Sequence, residues 1–501
     1  MSTSPSPRAG IVWDDSGWDT KAKWASEPSI EAIQATCRRV LQLDAPDGCS
    51  VSFKAEGAFN KAYLVEDNYE RRWIFRVSLP IDPQKKTAGE VATLDWVERH
   101  SDIPVPKVIA FDDSRDNEIG YEWTLMDLMP GTSAHYRWRG MSMEAKTTFV
   151  EKIAEYQAQL FKSQFRTIGT LKNVNLDDDP KSEPGPLVDA IYFMGKRYDV
   201  DVPRGPFRSS YDWFKSCISL IMEDKKREIR ELSASSSDSD SSSDDSSDSD
   251  DSSDSNDSSD SDDSSDSDDS SDSDPSSESS SDDSPDSDSG PDLELDSDEE
   301  ERKKLAEYTF DVADVIGDIL PDIFPKAVNP PERTVLLHDD LSLNNILVDD
   351  DGAITAIIDW ECVSTVPLWA TTRMPQFLVG KDREEAPDRD EYADADPEME
   401  AADRIREGDY YLESEGKNSL YWDHLMEYEQ TKLRKVYSDR LSELCPAWGE
   451  AFADDGLKRD FHQAVFYCAD SWCLVKVDDW VGEIMEGELP TLASIFQRGR
   501  T

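Results

Sequence analysis

The segment from Val335 to Glu361 restricts the fold of this chain more than any other part of it. Four of its residues follow the spacing His-x-Asp-Leu-x-x-x-Asn, and these are His338, Asp340, Leu341 and Asn345. Between Asn345 and Asp359, two short apolar runs at 346–348 and 354–358 flank an Asp- and Gly-rich turn. This pattern predicts a β-hairpin. Such a hairpin would bring Asn345 and Asp359 together at its open end.

This spacing is typical of the catalytic loop of enzymes that transfer phosphoryl groups. The reaction needs a carboxylate that orients the attacking hydroxyl, and we assign that role to Asp340. It also needs an amide and a carboxylate that hold Mg²⁺ on the phosphates, and we assign Asn345 and Asp359 as metal ligands. His338 is counted with Asp340 in the catalytic loop, where we expect it to support the loop backbone. The alternative is a solvated acidic turn between two strands, which does not require the hairpin and Asp359 to follow the motif.

The segment resembles the aminoglycoside phosphotransferase-like, or phosphotransferase enzyme, family, especially its fungal branch. In that family the metal-binding Asp is followed by Trp-Glu, as in Asp359-Trp360-Glu361, where protein kinases carry Phe-Gly. The resemblance implies an α+β, two-lobed protein-kinase-like fold that uses ATP and Mg²⁺ to phosphorylate a hydroxyl of a small molecule. Aminoglycoside kinases usually have Gly between the His and the Asp. This chain has Asp339 there, which adds a charge beside the proposed base.

A nucleotide-binding lobe is expected in the N-terminal half. Residues 51–65 alternate as two strands around Gly57-Ala58-Phe59-Asn60. This resembles the family's short phosphate-covering turn, with Gly57 and Asn60 as cofactor-binding residues whose backbone N–H groups face the phosphates. An ordinary hairpin turn is an equal alternative, because the loop holds one Gly. The next strand, 73–79, places Arg76 where kinases carry the phosphate-binding lysine, and arginine keeps the charge and the bidentate reach.

Apolar residues at helical spacing predict a helix over residues 87–100. The resemblance implies that Glu90, in the predicted first turn, pairs with Arg76 and holds its phosphate contact in place. In the alternative, Glu90 has no functional role, because a Glu in the first turn of a helix is stabilised by the helix dipole anyway.

Two further strands are predicted after this helix. Residues 103–111 are apolar and enter through a Pro-rich turn, and residues 123–129 precede Pro-Gly. The second of these resembles the hinge between kinase lobes, where the backbone of Met126 and Leu128 would contact an adenine. No side chain in the hinge selects adenine, so the choice of ATP over GTP rests on the resemblance.

Residues 233–300 form an acidic tract with 28 Asp or Glu and no Lys or Arg, which is half of the formal net charge of −56. The tract has almost no apolar side chains, so burial cannot offset its chain entropy, and we expect it to be disordered. The flanking sequences predict helices at 212–232 and 301–320. The tract is therefore interpreted as an insertion in the C-terminal lobe. The fold can tolerate such an insertion because the entropy cost of closing a loop grows only slowly with loop length.

The composition of the tract allows three interpretations. It could be a solubilising segment, a substrate of acidophilic kinases because Ser-Asp recurs, or a tail that binds a basic protein partner. Nothing in the sequence separates them. A second hypothesis for the whole chain follows, in which a catalytically weak kinase-fold binding protein acts through the tract. Strong acidity without a basic stripe argues against nucleic-acid binding.

The sequence predicts a cytoplasmic protein, with the nucleus as the alternative. A membrane-spanning helix needs about 18 consecutive apolar residues, and no run in the sequence is that long. The acidic residues near the start disfavour a mitochondrial presequence. The seven cysteines show no CxxC or Cys/His metal spacing, and they are expected to be reduced thiols.

The predicted division of the chain is an N-terminal extension, an N-lobe, a first part of the C-lobe, the acidic tract and a final C-lobe part, at 1–44, 45–128, 129–232, 233–300 and 301–501. The last part should supply the pocket for the acceptor. There the pattern predicts helices over 418–441 and 461–484 and a loop over 381–409. The identity of the acceptor cannot be read from these residues.

Overall fold

A computed structural model describes residues 6–14, 20–43, 48–173, 181–239, 295–326, 329 and 331–498. The chain divides into one unit of Met1–Lys225 and Thr309–Thr501 and a second unit of Lys226–Tyr308. Disorder was predicted for residues 233–300. Of these, residues 240–294 lie outside the described part of the chain.

An antiparallel sheet forms the framework of the N-terminal lobe. With a preceding two-stranded ribbon, its strands are β1 (Ile11–Asp14), β2 (Lys21–Trp24), β3 (Cys49–Glu56), β4 (Asn60–Asp67), β5 (Arg72–Ser78), β6 (Val108–Asp112) and β7 (Glu122–Asp127). The ribbon pairs β1 with β2, and the five-stranded sheet has the order β3-β4-β5-β7-β6. Alternation along β4 and β5 buries one face, including Val65, Phe75 and Val77.

Two helices flank this sheet, α1 (Ile30–Leu41) and α2 (Lys85–His100). The Ser29 side chain begins α1 by accepting a hydrogen bond from the Ala32 N–H group. Ile33 and Cys37 of α1 join the sheet core. Helix α2 is buried over most of its circumference, so the side chains of its first two turns are available for contacts inside the protein.

The strand predicted over 103–111 starts later, at Val108. Pro104 and Pro106 have no N–H group to donate to a sheet, so this run cannot begin one. The Pro104 carbonyl instead accepts a hydrogen bond from the Ile357 N–H group at 2.9 Å. The Pro-rich segment therefore joins the N-terminal lobe to the predicted catalytic hairpin.

The C-terminal lobe combines two small sheets with many helices. Its strands are β8 (Thr132–Ser133), β9 (Gly169–Asn173), β10 (Ser182–Pro184), β11 (Thr334–Leu337), β12 (Ile346–Val348), β13 (Ile354–Ile357) and β14 (Ser364–Pro367). Their orders are β10-β9-β14-β11 and β13-β12-β8. Its helices are α3 (Ala134–Arg137), α4 (Met143–Lys162), α5 (Ala190–Phe193), α6 (Ser210–Ser239), α7 (Leu295–Ile323), α8 (Pro397–Glu407), α9 (Ser419–Leu444), α10 (Pro446–Asp454), α11 (Gly456–Tyr467), α12 (Ser471–Met485) and α13 (Leu492–Gln497).

Helices α4 and α9 pack together and carry much of the C-lobe core. Trp138, Phe149 and Phe377 meet edge to face beside them, with ring centroids 5.5–5.9 Å apart. A buried ion pair joins the two helices, with Lys146 Nζ 2.6 Å from Glu429 Oε1. The predicted α+β class, with a β-rich N-terminal lobe and a helical C-terminal lobe, is confirmed.

Several predicted boundaries in the C-lobe were wrong. The helical region predicted over 461–484 consists of two helices, because Asp470 caps α12 by accepting from the Trp472 N–H group. The predicted loop over 381–409 contains α8, which Asp396 caps in the same way. Helix α6 continues past its predicted end at Leu232 and α7 begins before Glu301. Both helices therefore include residues of the acidic tract.

The second unit is described only through the parts of α6 and α7 that it contains. Within it, Arg302 Nη2 lies 3.6 Å from Glu228 Oε1. None of the helices in the described ranges combines the length and apolarity that crossing a bilayer requires. The seven cysteines all lie in the described part and are free thiols.

Candidate active site

The predicted hairpin is present between Asn345 and Asp359. Strands β12 and β13 pair with Ile346 opposite Ile357, and the Ile358 N–H group donates to the Asn345 carbonyl at 2.9 Å. These bonds bring Asn345 and Asp359 to the same end of the hairpin. Asp359 has a φ of 63°, a left-handed conformation that Asp tolerates better than most residues.

Asp340 and Asn345 are directly bonded. The Asn345 Nδ2 amide donates to the Asp340 carbonyl oxygen and to its Oδ2, both at 2.9 Å. Burial raises the pKa of Asp340, and the Asn345 hydrogen bond opposes that rise. Both bonds use the amide nitrogen. No described residue donates a hydrogen bond to Asn345 Oδ1.

His338 supports the loop. Its ring is buried, lies edge to face against Trp360 at 4.7 Å, and donates from Nε2 to the Ile358 carbonyl at 3.2 Å. Burial lowers the pKa of His338 to about 4, so the ring is neutral at physiological pH. Nδ1 is then an unprotonated atom, and it has no partner in the described part of the chain. His338 therefore ties its own strand to the residue before Asp359.

Arg76 lies at the centre of a group of carboxylates. From β5 it bonds the Glu90 carboxylate, and its Nη2 lies 3.4 Å from Asp359 Oδ1 and 3.1 Å from Glu361 Oε2. Burial disfavours its charge, but the carboxylates, Glu90 foremost, outweigh burial and raise the pKa of Arg76. Helix α2 starts at Lys85 and has no acid in its first turn. The helix dipole therefore does not account for Glu90, which is buried against Arg76.

Lys86 and Glu361 were not predicted as site residues. Lys86 Nζ lies 2.5 Å from Glu361 Oε2 and donates to Asn60 Oδ1 at 3.0 Å. Asn60 Nδ2 donates to the same Glu361 oxygen at 2.5 Å. Burial opposes ionisation of Glu361, but Lys86 and Arg76 outweigh it and lower the pKa to about 2. In the sequence, only the Trp-Glu pair of the motif pointed to Glu361. Nothing in the sequence pointed to Lys86, which is a lysine near the start of a helix.

The turn around Gly57 is a simple hairpin connection. The Gly57 N–H group donates to the Asn60 carbonyl at 2.9 Å. A Cβ at Gly57 would meet nothing closer than 4.0 Å, and its φ is not in the left-handed range. Neither space nor backbone conformation therefore requires glycine. Asn60 contacts the charged residues through its side chain, and the predicted contact of the Gly57 and Asn60 N–H groups with phosphates stays a prediction.

Met126 and Leu128 lie in the predicted hinge. Met126 is buried in β7, where it pairs with Ile74 and Val108, and Leu128 follows the end of that strand. Neither is among the residues that line the cavity beside Asp340. Their predicted contact with a nucleotide stays a prediction.

A cavity of 970 Å³ opens beside the catalytic loop and is lined by His338, Asp339, Asp340, Asp359 and Glu361, among others. Its size is at the upper end of what small-molecule sites occupy. Arg373 Nη2 lies 2.7 Å from Asp339 Oδ1, so the additional charge beside Asp340 is paired. No sequence signal indicated Arg373, because the pair joins two different loops.

The oxygen atoms near the hairpin suit Mg²⁺ held jointly with phosphates. Within the described ranges no group of three or more His, Cys, Asp or Glu could hold a metal by itself. Mg²⁺ in nucleotide enzymes usually takes one or two carboxylates, phosphate oxygens and water. The Asn345 Oδ1 atom without a partner and the Asp359 carboxylate, whose side chain is 37% exposed, supply this kind of ligand.

The chain is similar to a known family of proteins. The sequence pattern of the Phosphotransferase enzyme family matches residues 51–183 and 276–370. A subtelomeric hrmA-associated cluster protein of Aspergillus fumigatus is 30% identical over 165 residues, which cover 31% of this chain and 32% of that protein. The mitochondrial protein named altered inheritance of mitochondria protein 9, from Meyerozyma guilliermondii, is 26% identical over 149 residues, covering 28% and 24%. The chain thus spans about a third or less of the length of these relatives.

Two solved kinases are similar at a low level. Choline kinase from Cryptosporidium parvum Iowa II has a TM-score of 0.38 at 13% identity, covering 93% of this chain and 100% of that chain. Ethanolamine kinase from Plasmodium vivax has a TM-score of 0.34 at 11% identity, covering 92% and 89%. At these scores the superpositions carry no argument about the acceptor.

Proposed function

This chain belongs to the phosphotransferase enzyme family, and we propose that it transfers the γ-phosphoryl group of ATP, in the presence of Mg²⁺, to a hydroxyl of a small molecule. The observation that carries the proposal is the hairpin end, where Asp340, Asn345 and Asp359 come together. Arg76, from the other lobe, contacts Asp359 there. These are the groups that phosphoryl transfer uses for positioning and for charge stabilisation.

Asp340 would orient the acceptor. Its carboxylate faces the cavity and is held by the Asn345 amide, so one rotamer is favoured. The burial that raises its pKa also makes it a better proton acceptor. In this role Asp340 accepts the hydroxyl proton while the acceptor oxygen forms its bond to the γ-phosphorus and the bond from that phosphorus to the β–γ bridging oxygen breaks, which releases ADP.

Asn345 and Asp359 would hold Mg²⁺ through Oδ1 and the carboxylate. When bound, the metal neutralises negative charge on the phosphates. Arg76 and Lys86 supply two more cations within the same cluster. Glu90 and Glu361 keep both cations charged and in place, which supports a site prepared for an anionic nucleotide.

Thermal unfolding with ATP tests this proposal. A ligand that binds the native state raises the melting temperature, so ATP with Mg²⁺ should raise it more than ATP with EDTA. Asp359→Ala should abolish that difference. Asp351→Ala is the matched control, because Asp351 is an exposed acid on the turn of the same hairpin, and it should respond like the parent protein.

Two results would contradict the proposal. An Asp359→Ala variant that responds to Mg²⁺ and ATP like the parent would show that the metal site is wrongly assigned. A parent protein that binds no nucleotide would exclude the enzyme and favour the kinase-fold binding protein that acts through the acidic tract.

A further inference from the structure

We propose that the acceptor carries an anionic group, a carboxylate or a phosphate, and that Arg459 and Trp213 bind it in the same cavity as Asp340. The inference rests on the proposed function, because it names the class of molecule that is phosphorylated. Trp213 and Arg459 both line this cavity, and we refer to them as the donor cluster.

Arg459 differs from the other arginines of this cavity. Its Nη1 donates to Thr372 Oγ1 and to the Phe452 carbonyl, both at 3.1 Å, and both acceptors are uncharged. Across the described residues, no carboxylate oxygen lies within 4.0 Å of its guanidinium. A partly buried cation that lacks a carboxylate partner is costly unless an anion or water compensates it.

The other two arginines of the cavity already have such partners. Arg373 pairs with Asp339 at 2.7 Å, and Arg434 pairs with Asp382 at 2.7 Å. Arg459 therefore is the cavity arginine whose charge is left for a ligand.

Trp213 provides a second, independent observation. Its side chain is 3% exposed, and its Nε1–H group has no hydrogen-bond partner among the described residues. Buried indole N–H groups nearly always find an acceptor. Trp213 lines the same cavity as Arg459, so we assign an oxygen of the anionic group as the acceptor of this N–H group.

His462 links these two donors. Its ring lies 5.3 Å from that of Trp213, and it follows Arg459 by one helical turn on α11, so both project from one face of that helix. Burial and the nearby Arg373 lower the pKa of His462 well below its usual value. The imidazole is thus neutral and adds no competing charge.

Three further acidic residues line the cavity, namely Asp189, Asp339 and Asp460. Burial raises the pKa of Asp189, whose carboxylate also accepts from the Ile191 N–H group, and burial raises the pKa of Asp460 while the nearby Arg459 opposes that rise. Asp339 is neutralised by Arg373. The remaining carboxylates are those assigned to the metal, the hydroxyl and the phosphate-binding cations. An ammonium group placed beside Arg459 would instead meet a like charge.

Calorimetric titration of the full chain with inorganic phosphate tests the inference. A saturating non-hydrolysable ATP analogue with Mg²⁺ is included, and the titration is repeated without it. Arg459→Gln should weaken phosphate binding by about tenfold or more, the scale of a lost charge-assisted hydrogen bond. Arg434→Gln is the matched control, because Arg434 lines the same cavity but is paired with Asp382. It should bind phosphate like the parent.

Phosphate that does not bind, or that binds equally to the parent and to Arg459→Gln, would overturn the inference. If Arg459→Gln does not fold, Arg459→Lys tests the inference instead. Lysine keeps the positive charge but lacks the planar guanidinium that donates two parallel hydrogen bonds. Phosphate binding should then weaken severalfold, and unchanged binding would be contradictory. The ATP analogue reports separately on the proposed function, because its Mg²⁺-dependent binding does not involve Arg459.

Discussion

The phosphate cluster, formed by Arg76, Lys86, Glu90, Asp359 and Glu361, balances its charges differently from the donor cluster. In the first, each cation lies close to at least one carboxylate, and Glu361 contacts both Arg76 and Lys86. In the second, the Arg459 guanidinium donates to a hydroxyl and a carbonyl and lies 5.4 Å from the Phe452 ring centroid, and among the described residues no carboxylate pairs with it. Every cation of the first region thus has a carboxylate partner without a ligand, whereas in the second we propose that a ligand supplies the anion.

This difference separates groups that hold the protein together from groups that remain available. Removing one partner of a buried pair leaves the other charge uncompensated, which destabilises the folded state strongly. A partly buried cation without a carboxylate partner costs free energy in the folded state, and a bound anion offsets that cost. Mutations in the two regions should therefore differ in whether stability or binding changes.

The largest effect is expected for Lys86→Met. It leaves the Glu361 carboxylate with fewer cations in a buried position, so the free energy of unfolding should fall by about 3–5 kcal/mol. Urea denaturation measures this. Lys435→Met is the control, because its pair with Asp439 has side chains 77% and 66% exposed, and it should cost less than about 1 kcal/mol. Equal losses in both variants would show that the phosphate cluster is not a stabilising network.

Asp340→Asn should affect turnover alone. The change keeps the shape of the side chain and removes its basicity, so turnover should fall by about 10²-fold or more. Binding of ATP with Mg²⁺ should be unchanged, because Asp340 belongs to neither cluster. Turnover is followed on an accepted substrate or by slow ATP hydrolysis. Asp339→Asn, one residue earlier and paired with Arg373, should lose less, and an Asp340→Asn protein as fast as the parent would exclude Asp340 as the base.

A smaller effect is expected from the pH dependence of stability at His462, beside the donor cluster. Its pKa is lowered in the folded protein, so the unfolded chain, with a pKa of about 6.5, binds the proton more readily. The free energy of unfolding should therefore fall as pH drops below about 6.5, by about 1.4 kcal/mol per pH unit. It continues to fall until the pH reaches the folded pKa.

Urea denaturation at pH 7 and pH 5 measures this term. The parent should lose about 2 kcal/mol more than His462→Phe between these values. If both proteins lose the same amount, the pKa of His462 is not lowered in the folded protein, and the folded ring takes up a proton as readily as the unfolded chain. It would then add positive charge beside the donor cluster.

The catalytic hairpin was predictable because its contacts are local. Residues 346–348 and 354–357 pair across one turn, as their apolar pattern indicates, and the strands around Gly57 and Arg76 appear within a few residues of their predicted bounds. Errors arose where one residue type overrides a pattern. Pro104 and Pro106 delay β6, and Asp470 starts a new helix inside an apolar run.

The sequence by itself determined the hairpin and the residues on which the proposed phosphoryl-transfer chemistry is placed. Spacing along the chain decides which side chains meet within a hairpin or a helix turn. Tertiary structure decided that Lys86 meets Glu361, that Arg373 neutralises Asp339, and that none of the described carboxylates pairs with Arg459. These contacts join segments far apart in the chain, and whether a buried charge is paired depends on every element around it rather than on its neighbours in sequence.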